Sequence, residues 1–146
     1  MEESLSLLKK LKIEFECGEV DIRTYSPLTL AYIGDAIFEL VVRTVLVERK
    51  NTQAEKLHKA ATKIVKAETQ ALMIEALKED LTEEELAVFK RGRNAKAMTR
   101  AKNATMSEYR RATGFEALMG YLYLKGDLAR MIELIRLGVE KAEVTL

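Results

Sequence analysis

Apolar residues recur every three or four positions along most of the chain, and only Val20 and Ile22 alternate in the way a strand requires. Leu5, Leu8, Leu11 and Phe15 form one stripe of a helix over Ser4 to Cys17, with Gly18 as its stop. The segment Glu19 to Tyr25 is too short for a strand and reads as a connector, so residues 1–25 make an N-terminal helix and linker. Ser26-Pro27 is a cap followed by proline where its missing N–H is not needed, and it predicts a helix from Pro27 to about Glu48. Thr52 to Glu55, Thr82 to Glu85 and Thr105 to Glu108 share one spacing: a capping threonine, then a glutamate three residues on that can reach back. They predict helices toward Leu77, toward Arg91, and over Tyr109 to Leu124. Gly126 ends the last of these, and Asp127 caps a final helix through about Lys141. The expectation is one all-α domain over residues 1–146, built of six or so helices.

Two of these helices carry carboxylates where apolar residues belong. In the second, Leu28, Leu30, Ile33, Ile37, Phe38, Leu40, Val41, Val42, Val45 and Leu46 occupy nearly every face, the pattern of a buried helix. Asp35 and Glu39 stand one turn apart within it. Glu116 lies likewise among Phe115, Leu118, Met119, Leu122 and Tyr123. Ala31 and Gly34 beside Asp35, and Ala112, Thr113 and Gly120 beside Glu116, are small enough to let the two helices close on each other. A buried carboxylate demands a cation, a metal or a set of donors. Two readings stay open: a shared hard ion such as Mg²⁺, which takes oxygen ligands, and structural salt bridges to Arg110 or Arg111. Zinc is disfavoured, because Cys17 and His58 stand alone without ligand spacing.

Composition narrows the class without choosing the chemistry. At 146 residues, with 48% hydrophobic and 32% charged, the chain is an ordinary globular one. A chain of this length can remove about 70% of its unfolded surface from water. One cysteine, Cys17, excludes an internal disulfide and is expected as a small core hydrophobe. That lone thiol, and a start that lacks the basic residues of a signal peptide, fit a cytoplasmic protein. Asp35, Glu39 and Arg43 interrupt Ile33 to Val47, so no run approaches the roughly 20 apolar residues of a membrane span. His58 is expected at the surface, and Tyr32, Tyr121 and Tyr123 in the core.

The net charge of +1 says nothing about an anionic partner, but its distribution does. Between Leu86 and Ser107 stand Lys90, Arg91, Arg93, Lys96, Arg100 and Lys102 with no acid among them, which leaves the rest of the chain net acidic. Such segregation suits a phosphate-binding loop, with Asn94 shaping its turn, and equally a merely solvated basic loop.

Two segments decide between the alternatives by resemblance. Leu30-Ala31-Tyr32-Ile33-Gly34-Asp35-Ala36-Ile37-Phe38-Glu39-Leu40 resembles the signature helix of the ribonuclease III catalytic domain. Thr113-Gly114-Phe115-Glu116-Ala117-Leu118-Met119-Gly120-Tyr121-Leu122-Tyr123-Leu124 resembles that family's second motif, and the two occur in the family's order and separation. Arg91-Gly92-Arg93-Asn94-Ala95-Lys96 is similar to the basic connection of the short subfamily, Mini-ribonuclease III, and the likeness runs from Ser26 to about Leu137. Two family acids are replaced, by Ala31 in the signature and by Thr113 in the second motif, and both replacements resemble the short subfamily's pattern.

The resemblance implies a ribonuclease III-like helical endonuclease domain without a double-stranded-RNA-binding appendage. Asp35 and Glu116 would be the catalytic and metal-binding residues, with Mg²⁺ as cofactor and Mn²⁺ able to stand in. Lys90, Arg91, Arg93, Asn94, Lys96, Arg100 and Lys102 would bind RNA. It further implies cleavage of double-stranded RNA by a homodimer, 5′-phosphate and 3′-hydroxyl products, and maturation of the large-subunit (23S-type) precursor ribosomal RNA, with room for a ribosomal protein on that precursor. The competing reading is a catalytically silent domain that binds structured RNA or a ribosomal particle, for which Ala31 and Thr113 argue. A helical dimerisation module with structural carboxylates is the third, and the acid-free basic segment disfavours it.

Overall fold

The protein is described as a computed structural model over residues 7–95 and 105–146. Seven α-helices make up its described part: α1 (Leu7–Glu14), α2 (Pro27–Arg49), α3 (Ala54–Val65), α4 (Ala67–Leu77), α5 (Glu83–Asn94), α6 (Met106–Lys125) and α7 (Leu128–Lys141). Short 3₁₀ turns follow α1 and α4, and there is no strand among the described residues.

The punctuation works where its partners are local. Ser26 Oγ accepts from the Thr29 N–H at 3.1 Å, with Pro27 opening α2. Both halves of the capping box form at Thr82 with Glu85 and at Thr105 with Glu108. Gly126 closes α6 with a φ of +88°, which a glycine adopts without strain, and Asp127 caps α7.

Two expectations fail. The first helix stops at Glu14, before Phe15 of its stripe, and the positive φ that follows it is at Glu16 (+52°), not at Gly18. Leu11 on it and Phe15 just beyond it are 40% and 72% exposed. Thr52 makes no capping box, and Gln53 caps α3 without a side-chain bond. The single helix expected from there to Leu77 breaks at Lys66, whose ψ of 155° is extended. Side chains from the start of α4 take up the freed carbonyls: Thr69 Oγ1 donates to Lys63 O and Gln70 Nε2 to Val65 O, each at 2.6 Å.

α6 is the centre, packed by α2, α5, α4 and α7. Phe115, Leu118, Met119 and Leu122 are buried on it, and Phe115 meets Phe38 of α2 edge to face at 5.1 Å. Glu85, at 5% exposure, ties α5 to α7 through two bonds from Arg130, both at 2.8 Å. Arg130 also donates to the Asp80 carbonyl at 2.7 Å. α2 is not buried all round: Leu28, Tyr32, Leu40 and Val47 lie exposed, with Tyr32 at 81%. Tyr121 and Tyr123 are in the core as expected, whereas Tyr32 and Cys17 are not.

Candidate active site

The site begins with two glycines. A Cβ on Gly34 would lie 1.7 Å from the backbone oxygen of Glu116, and one on Gly120 would lie 2.0 Å from that of Leu30. α2 and α6 therefore cross backbone against backbone, at a separation that no side chain at these positions permits. Asp35 follows the first contact in sequence and Glu116 is part of it, so the crossing brings their carboxylates together.

Their environments differ. Asp35 is exposed, contrary to the expectation of burial, while Glu116 is set deeper. Burial and the charge of Asp35 push the Glu116 carboxyl up to about 8, against a single opposing donor, the Gln70 amide. Gln70 Nε2 donates to Glu116 Oε2 at 3.2 Å. No basic side chain pairs with either acid among the described residues. Arg111 turns instead to Glu75 at 3.5 Å, Arg110 is exposed, and Glu39 pairs with Arg43. Structural salt bridges to Arg110 or Arg111 are thus not what holds these carboxylates.

Two converging acids, one costly to ionise and neither neutralised, form a donor set that fits a hard, oxygen-seeking cation. Among the described residues there is no group of three or more His, Cys, Asp or Glu residues that could hold a metal. Ala31 and Thr113 are buried, and the Thr113 hydroxyl donates to the Tyr109 carbonyl at 2.9 Å.

The helix expected to reach Arg91 runs on to Asn94, so Arg93 and Asn94 are helical where a loop was expected. Lys90, Arg91, Arg93 and Asn94 belong to the last turns of α5. Lys90, Arg91 and Asn94 are exposed, while Arg93 donates to Asn94 Oδ1 at 3.2 Å and lies 5.6 Å from the centre of the Phe89 ring. Lys96, Arg100 and Lys102 lie outside the described residues. Arg93 and Asn94 line an open cleft together with Lys78 and Glu75 of the α4 end and Met106, Ser107, Arg110 and Arg111 of the α6 start. Four cations against one acid leave this cleft net positive. Arg110 stands six residues, about 9 Å along the helix axis, before Glu116.

Gln70 is the residue at this site that the pattern of the sequence does not disclose. It is a single glutamine in a helix whose Ala71, Met73, Ile74 and Leu77 are buried, and only the fold shows what it faces.

Comparison with known proteins agrees with the crossing. The ribonuclease III domain matches residues 28–127, which contain both motif helices. The chain is 43% identical over 137 residues to a Mini-ribonuclease 3 of Clostridium tetani, 93% of this chain and 91% of that protein. It is 47% identical over 127 residues to a Mini-ribonuclease 3 of Enterococcus faecalis, 86% of this chain and 96% of that one. A crystal structure of a Fusobacterium nucleatum protein, 34% identical, superposes with a TM-score of 0.74 over 84% of this chain and 98% of its own. On these grounds the chain belongs to the ribonuclease III family, among its Mini-ribonuclease III members.

Proposed function

We propose that the protein is a metal-dependent endoribonuclease that hydrolyses phosphodiester bonds in double-stranded RNA, with Asp35 and Glu116 holding Mg²⁺ and Mn²⁺ able to replace it. The observation that carries this is the unneutralised pair itself, Glu116 pushed up to about 8 beside Asp35. Bound there, the ion supplies an acidified water and neutralises charge on the scissile phosphate. Asp35 and Glu116 fix its position, and the rigid glycine crossing fixes theirs.

Lys90, Arg91, Arg93 and Asn94 hold the duplex by its phosphates, joined in sequence by Lys96, Arg100 and Lys102. A-form RNA presents shape and phosphates more than base edges, so a basic helix end suits it. Hydrolysis is expected to leave a 5′-phosphate and a 3′-hydroxyl. The exposed stripe of Leu28, Tyr32 and Leu40 on α2 is the surface of a homodimer in this reading, two centres then cutting two strands. The substrate is the 23S-type precursor ribosomal RNA in the cytoplasm, where a ribosomal protein can present it.

Incubation with long duplex RNA, in Mg²⁺ and in EDTA, tests the reading. Cleavage in Mg²⁺ and none in EDTA is the expected result. Cleavage undiminished in EDTA overturns metal dependence. Binding without cleavage in either condition favours the silent RNA-binding domain, for which the absence of acids at Ala31 and Thr113 speaks.

A further inference from the structure

Gln70 is 1% exposed near the start of α4, and the fold treats its two amide atoms very differently. Nε2 donates twice, to Val65 O at 2.6 Å and to Glu116 Oε2 at 3.2 Å. Oε1 is buried without any hydrogen-bond partner. Val65 O can only accept, so that contact fixes which way the amide faces, and the two contacts use both of its hydrogens. The Val65 carbonyl is free to accept because the chain breaks between α3 and α4 at Lys66.

A methionine or leucine would fill the same space without a stranded acceptor of its own, but would leave the Val65 carbonyl and one oxygen of Glu116 without this donor. A buried acceptor without a partner costs about 1–3 kcal/mol. The unpartnered Oε1 counts against stability, and what the glutamine brings, besides a donor for the Val65 carbonyl, is a neutral donor on one oxygen of Glu116. A donor orients that carboxylate without adding a third negative charge to the pair.

We propose that Gln70 is a positioning residue for the metal site: it clamps Oε2 of Glu116 and so presents the carboxylate to a divalent cation shared with Asp35. It rests on the metal-dependent reading above. Ala31 and Thr113 supply no acid to help orient the ion, so the α3–α4 break supplies an amide in their place. Partners that orient a metal ligand from behind typically change affinity or activity by about 10–100-fold when lost.

The test compares Gln70→Met, similar in length but without a donor, with the wild-type protein. Calorimetric titration of Mn²⁺ into RNA-free protein should show affinity weakened by about 10–100-fold, with the circular dichroism spectrum in EDTA showing that the variant is folded. Raising Mg²⁺ should restore much of the lost cleavage rate. Unchanged Mn²⁺ affinity in the folded variant overturns the proposal. A second measurement needs no variant: substoichiometric Mn²⁺ should broaden the Gln70 side-chain amide signals of the ¹⁵N-labelled wild type, and unaffected signals overturn the proposal as well. Wild-type protein that neither takes up Mn²⁺ nor cuts duplex RNA would overturn the nuclease reading itself. Wild type that does both, beside an unaltered variant, removes only the role of Gln70.

Discussion

Gly34 of α2 lies so close to Glu116 of α6 that a single added carbon would fall 1.7 Å from the Glu116 carbonyl oxygen. The contact is backbone to backbone, and no side-chain rotation relieves it. Gly34→Ala should force the helices apart and destabilise the fold by about 3 kcal/mol or more, lowering the melting temperature by roughly 6–12 °C. Gly18→Ala, where a Cβ meets nothing within 4 Å, is the control and should change stability little. Equal melting of the two variants would mean that the crossing is looser than described.

Asp35→Asn and Glu116→Gln each keep shape and remove one metal-binding charge. Cleavage of duplex RNA should fall by at least about 10³-fold, several kcal/mol of barrier, with the circular dichroism spectrum unchanged. Near-normal rates in either variant would remove that residue from the site.

The Glu85–Arg130 link sets an acid limit on stability. The Arg130 guanidinium holds the Glu85 carboxyl below its ordinary 4.5, so the folded state binds this proton less readily than the unfolded chain does. Its contribution is present above pH 4.5 and is lost as pH falls through the lower folded value. Glu85→Gln should destabilise the protein by about 3 kcal/mol at pH 7, because it leaves Arg130 without its buried partner. Urea melts of both proteins should converge as pH drops below 4.5, and a gap that stays constant would count against this link.

The exposed apolar stripe on α2 should be covered in solution by a second copy. Light scattering at micromolar concentration should report twice the monomer mass, and Tyr32→Arg with Leu40→Glu should return a monomer that melts like the wild-type chain in the same assay. A wild-type monomer with full activity would exclude paired cutting.

Lys90→Ala with Arg91→Ala tests the end of α5. Each phosphate contact adds roughly 0.7 to 0.9 to the slope of log affinity against log salt. Losing both cations should weaken duplex binding and flatten the slope by up to about 2 units. Turnover at saturating RNA should suffer less, since these groups bind without touching the reacting bond. Unchanged affinity and slope would make this helix end a solvated face.

Local chemistry was legible along the chain. The boxes at Thr82 and Thr105, the Ser26-Pro27 start and the Gly126-Asp127 junction each depend on residues within three or four positions, and each formed. The motif helices, with their small residues beside Asp35 and Glu116, foretold the crossing for the same reason: a glycine declares close approach wherever its partner is. What lay hidden was which face meets which. The periodicity of α2 could not show that Tyr32 turns outward and Asp35 sits at the surface while Glu116 goes deep. Nor could Thr52 show that its helix would break at Lys66, since the groups that satisfy the break are Thr69 and Gln70 of the next helix. Caps and turns are settled between chain neighbours, whereas burial, and with it the Gln70 contact to a carboxylate 46 residues away, is settled only when α4 and α6 pack.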